Sequence, residues 1–144
     1  ANQVDCAIAQ LDDGIDADAL DVEGLGAVNG VADVTVDDLG RAVSKRGRTT
    51  EVTHGTITAA EVANVVVDYD VGSVRFDGQV EIAGRENRLF SEPGDSGALV
   101  LSEDGAAVAL LFAGRDPFER DSPGVSYANP LGAVLASLGV AAPW

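Results

Sequence analysis

Gly94-Asp95-Ser96-Gly97 is the stretch of this 144-residue chain best suited to chemistry. It lies between Phe90-Ser91-Glu92-Pro93 and the apolar run Ala98-Leu99-Val100-Leu101. Gly94 has no Cβ, so the backbone can turn sharply and bring the amides of Gly94 and Ser96 toward one point. A serine hydroxyl beside two convergent N–H donors suits attack on a carbonyl. The donors stabilise the oxyanion that forms, by about 3–4 kcal/mol each. Gly97 lets the chain re-enter a sheet in close packing. The same residue types are ordinary turn formers, so a plain hairpin-entry turn is the competing account.

A serine is a poor nucleophile until a base takes its proton. The chain has one histidine, His54, inside Glu51-Val52-Thr53-His54-Gly55-Thr56. Its setting predicts a partly exposed sheet residue, with a His54–Ser96 pair as the alternative. One cysteine, Cys6, excludes an internal disulfide, and its neighbours Ala7 and Ile8 suggest a buried, inert thiol. One cysteine and one histidine make a structural zinc site within the chain improbable. The carboxylates of 12–38 could together hold a calcium ion, but no EF-hand spacing is present, and solvation is the simpler account. Neither a metal nor a cofactor is expected.

The serine turn is followed by an apolar strand, a turn at Asp104-Gly105 and a second apolar strand ending Leu111-Phe112-Ala113-Gly114. This arrangement resembles the nucleophile loop of the chymotrypsin-like (trypsin-fold) serine proteases. The resemblance implies a serine endopeptidase that forms an acyl-enzyme on Ser96, with the amides of Gly94 and Ser96 as oxyanion hole. It implies that Asp5, followed by the apolar Cys6-Ala7-Ile8, is the acid that orients the base. A strand-start aspartate in solvent is the other account of Asp5. The order of the family is histidine, aspartate, serine, and His54 lies after Asp5 and in the wrong barrel. The histidine is therefore expected from elsewhere, on an N-terminal protease fragment, which leaves this chain inactive alone; the alternative is a catalytically inactive, protease-like peptide-binding module.

By the same resemblance, an extended polypeptide substrate would pair with Phe112, Ala113 and Gly114. The specificity pocket would be walled by Phe90, Ser91, Glu92, 112–114 and 124–126. Phe90, six residues before the serine, speaks against a pocket selective for Lys or Arg. Asp95 is expected to make an internal polar contact that fixes the loop, with Ala1 an unlikely partner.

The elements that must position these groups read as β. Strands are predicted at 3–11, Arg41–Lys45, Thr49–Thr58, Ala63–Tyr69, Ser73–Phe76, Val80–Ile82, Ala98–Leu101 and Ala106–Phe112. Asp77-Gly78 is a favoured hairpin dipeptide. Asn129-Pro130, the apolar positions Leu131, Val134, Leu135 and Leu138, and Gly139 predict a terminal helix with its cap and stop. The expected fold is all-β: an antiparallel six-stranded Greek-key barrel of trypsin-like protease type with a C-terminal helix, the first barrel being largely missing. Residues 1–38 would be the end of that first barrel and an acidic connector, and 39–144 the second barrel. Loss of the first barrel would leave Val4, Ile8 and Leu11 without partners.

Composition narrows the partners. Twenty-four acidic against nine basic residues give a net charge of −15, and Lys45 is the only lysine. Such a surface keeps a protein soluble and also fits a salt-adapted source. It argues against nucleic acid, and no apolar run is long enough to span a bilayer as a helix. Arg41, Lys45, Arg46 and Arg48 form a local cluster expected to bracket a strand.

Overall fold

The structure is a computed structural model that describes residues 2–15, 17, 20–115 and 124–144. In chain order its elements are β1 (Asp21–Val22), β2 (Gly26–Ala27), a 3-10 turn (Val36–Asp38), β3 (Ala42–Gly47), β4 (Glu51–Val62), β5 (Val65–Tyr69), β6 (Gly72–Phe76), β7 (Gln79–Gly84), β8 (Leu99–Ser102), β9 (Ala107–Arg115), β10 (Val125–Pro130) and α1 (Leu131–Leu138). Six strands close into an antiparallel barrel in the order β10-β7-β4-β3-β8-β9. β3, β4 and β7 are sequential neighbours, and β8 returns to lie beside β3, which is a Greek key.

Alternation decides what faces the barrel interior. On β3, Val43 and Lys45 point inward; on β4, Gly55 and Ile57 do. The core gathers Val43, Ile57, Val80, Ile82, Phe90, Val100, Val108, Ala109 and Ala128. Burying each large apolar side chain there is worth about 1.5–3 kcal/mol. Space for Phe90 comes from Gly55, where a Cβ would stand 2.6 Å from the ring. A second cluster, with Val28, Leu101 and Ala107, seats the inner face of α1 through Leu131 and Val134. Gly139 ends the helix in the left-handed conformation, φ 66°, and Val140 N–H donates to Leu135 O.

Four expectations need correction. Residues 3–15 form no strand; Asn2 alone makes a bridge, to Phe76. Asp77-Gly78 is not a hairpin turn, because β6 pairs with β5 in a separate two-stranded ribbon while β7 pairs with β4 and β10. The Asp77 carboxylate instead accepts from Asn64 N–H at 2.7 Å and holds the base of that ribbon. Asn129 does not cap α1, whose N-cap is Pro130 without a side-chain bond. Its buried amide turns back to the N-terminal segment. Of the basic cluster, Arg41 and Arg48 do bracket β3, but Lys45 and Arg46 lie within it, and the Lys45 side chain is 0% exposed rather than part of a surface cluster.

The connector before the barrel is not featureless. β1 and β2 form a small ribbon, and Thr35 and Asp38 form a capping box around the 3-10 turn. Val4 and Cys6 pack partly against the helix-side cluster. Ile8 and Leu11 remain 63% and 56% exposed.

Candidate active site

The serine turn is held from behind by a sealed polar cluster. Asp95 is 1% exposed and is aimed at the turn between β3 and β4. Its Oδ1 accepts from Thr49 N–H at 2.8 Å and Thr50 N–H at 3.1 Å. Its Oδ2 accepts from Thr50 Oγ1 at 2.7 Å and Glu92 N–H at 3.0 Å. Lys45 Nζ lies 3.4 Å from Oδ2, donates to Thr50 Oγ1 at 2.5 Å and Glu51 O at 3.1 Å, and stands 5.9 Å from the centre of the Phe90 ring. Removing both charges from water is costly, and the cost is met here by a complete set of bonds. Burial alone would raise the Asp95 carboxyl. The hydroxyl of Thr50 and the three amides outweigh it and hold the group well below the ordinary carboxylate range. Burial pushes the Lys45 ammonium down from its ordinary value, against the pull of Asp95.

Two glycines make this cluster possible. A Cβ on Gly47 would stand 2.3 Å from Asp95 Oδ1, so no other residue leaves room for the carboxylate. Gly94 has φ 103°, and a Cβ there would stand 2.4 Å from Thr49 Oγ1. Thr49 Oγ1 itself donates to Pro93 O at 2.9 Å, a second tie between the two turns.

With Asp95 directed inward, Ser96 faces outward. It is exposed, and its Oγ donates to Phe112 O at 3.3 Å. Among the described residues, the amides of Gly94 and Ser96 donate to no acceptor, whereas those of Asp95, Gly97 and Ala98 are bonded to Glu92, Leu111 and Asp95.

Ser96 opens onto a cleft of about 420 Å³. The expected Ser91, Glu92, Phe112, Ala113 and Gly114 line it, as do 124–126. Phe90 does not: it points into the barrel core and is 1% exposed. The residue six positions before the serine thus faces the barrel core and not the cleft. Ser91 lines the cleft in its place, with its Oγ 2.7 Å from that of Ser126. Sequence reasoning missed Val67, Asp68 and Arg115, contributed by the ribbon and the end of β9. The cleft exists because β9 outruns its neighbour. β8 pairs with β9 only as far as Leu110, and Leu111 is tied to residues 97 and 98. Beyond it, 113–115 pair with β10 on one edge, and among the described residues no strand covers the other.

Asp5 is held differently and is not among the residues that line the cleft. Asn129 grips its backbone twice, accepting from Asp5 N–H at 3.0 Å and donating to Asp5 O at 2.8 Å. The Tyr69 hydroxyl donates to Asp5 Oδ2. His54 is not brought to Ser96. It lies exposed on the outer face of β4, opposite Ser44, whose Oγ is 2.7 Å from His54 Nδ1. Ala1 lies outside the described residues.

No family model matches the chain, and no curated protein does. Among solved structures it is similar to the chymotrypsin of Cellulomonas bogoriensis, with 29% identity over 78% of this chain and 53% of that one, at a TM-score of 0.56. Protease A of Thermobifida fusca matches over 81% of this chain and 55% of its own, with 24% identity and a TM-score of 0.58. A glutamic acid-specific serine protease, described as using a histidine triad in substrate binding, matches over 90% and 62%, with 24% identity and a TM-score of 0.60. The match thus spans about half the length of the first two. Over the part that it spans, the chain has the closed β-barrel and terminal helix of the chymotrypsin-like bacterial serine proteases.

Proposed function

We propose that this chain is the nucleophile-bearing part of a serine endopeptidase. Ser96 attacks the peptide carbonyl, and the amides of Gly94 and Ser96 receive the oxyanion. Asp5 orients a histidine carried by an N-terminal segment or partner, and that histidine takes the Ser96 proton and delivers it to the leaving amine. The observation that carries this reading is the serine turn itself: its aspartate is locked inward, its serine faces a cleft, and two of its amides have no acceptor among the described residues. The edge of 113–114 that no strand covers among the described residues is suited to an extended peptide added as a further strand, with the Ser91–Ser126 hydroxyl pair in the adjoining pocket. That pocket has no buried carboxylate for a Lys or Arg side chain among its described lining residues.

Without the histidine the rate falls by several powers of ten, so the chain alone turns over peptide bonds very slowly. The test is treatment of the native protein with a fluorophosphonate, followed by intact-mass measurement of every polypeptide. An adduct on Ser96 in the presence of a histidine-bearing segment, lost in Ser96→Ala, is the expected result. Absence of any adduct with that segment present overturns the enzyme reading. The second reading, a peptide-binding module without catalysis, is favoured by the engagement of the chain's one histidine with Ser44.

A further inference from the structure

The residues that hold Asp5 come from two places. Its backbone belongs to a segment without regular structure, pinned along its length. Asn2 N–H donates to Arg75 O at 2.9 Å, Gln79 Nε2 to Gln3 O at 2.7 Å, and Asn129 brackets Asp5 from both sides. These bonds fix where the residue sits and leave its side-chain torsions open. The carboxylate is fixed by Tyr69, the last residue of β5, through Oδ2. Among the described residues Oδ1 accepts no hydrogen bond. Burial and the bond to Asp5 push the Tyr69 phenol up to about 12, so it stays a donor across the neutral range.

The same ribbon touches the cleft. Val67 and Asp68, just before Tyr69, line it. The Tyr69 ring meets Phe76 edge-on at 6.4 Å, and Phe76 meets Phe112 at 5.1 Å. Phe112 in turn provides the carbonyl that accepts the Ser96 hydroxyl. One continuous run of contacts therefore joins the aspartate to the serine through the ribbon.

We infer that Tyr69 is a positioning residue, whose hydroxyl holds Asp5 Oδ2 so that Oδ1 is presented to the incoming imidazole. The inference rests on the reading of Asp5 as the orienting acid. Tyr69 touches neither substrate nor reacting atoms; it removes one rotational freedom from the carboxylate, and a misplaced carboxylate orients the base poorly.

The test uses the protein together with its histidine-bearing segment and a fluorophosphonate as probe, following both the maximal labelling rate of Ser96 and the half-saturating concentration. Asp5→Asn comes first and is expected to slow labelling by about 10⁴-fold. If it labels at the wild-type rate, the reading of Asp5 fails, and this inference with it, before Tyr69 is touched. Tyr69→Phe is then expected to lower the maximal rate about tenfold with the half-saturating concentration unchanged. In the Asp5→Asn background the same change is expected to have no further effect. Wild-type labelling by Tyr69→Phe, or an equal loss in both backgrounds, overturns the inference. If Tyr69→Phe does not fold, p-aminophenylalanine and p-methylphenylalanine at position 69 provide the comparison at constant size. Only the first keeps a donor, and equal rates for the two overturn the inference.

Discussion

Asp95 and Asp5 are treated by the chain in opposite ways. Asp95 is enclosed, with both oxygens bonded and a lysine beside it, and every one of those partners belongs to the chain itself. Asp5 is half-buried, with one oxygen held by Tyr69 and the other presented without a partner among the described residues. A carboxylate whose lone pairs are all used can only hold structure. One with an oxygen to spare can also take part in chemistry. The same contrast separates the barrel, whose interior is complete, from the segment ahead of it, where Ile8, Leu11 and Ile15 lie in solvent.

The comparison is broken most forcefully at Asp95. Asp95→Ala leaves the Lys45 ammonium buried without its counter-charge, and is expected to cost about 3–5 kcal/mol in urea unfolding of the barrel. A loss below about 1 kcal/mol would mean that the cluster is not sealed. Acid sharpens the same point. The Asp95 carboxyl lies below its unfolded value, near 3.9, so its stabilisation is fully present above about pH 4 and drains away as pH falls toward the folded value. Asp95→Asn should flatten that acid limb of the stability curve, and an unchanged slope below pH 4 would refute the assignment. Smallest is the effect expected at the other aspartate. Asp5→Asn keeps the side chain's shape and its bond from Tyr69, and should shift the unfolding midpoint by less than about 1 kcal/mol. A loss as large as that at Asp95 would erase the distinction between the two.

What could be read from the sequence was local. The serine turn announces itself in four consecutive residues, and the apolar spacing of α1 with Gly139 in nine more. The barrel strands show through their alternation. What failed was long-range or depended on facing. The Lys45–Asp95 pair joins residues about fifty positions apart, and a lone lysine among arginines looks like surface charge. The signal that could have found it is its spacing of two from Val43, which puts both on one face of β3. Phe90 was misplaced because a count from the serine carries no information on facing, whereas the bare Gly55 opposite it marks where a large ring belongs. Asn129 carries the signature of a helix cap, yet its amide is taken by a segment 124 residues earlier in the chain.

Gly47 has a consequence for how such a protein can change over generations. Its α-hydrogen faces Asp95 at a distance that no methyl group can share. A mutation at 47 therefore evicts the carboxylate, strands the lysine and loosens the serine turn in a single step. A mutation at 95 that shortens the side chain to a methyl would still leave its Cβ 2.9 Å from a Cβ at 47, and would strand the lysine's charge. Glycine, lysine and aspartate thus form one inherited unit, in which each residue alone is nearly immovable. A lineage that abandons one of the three must soon rewrite the others.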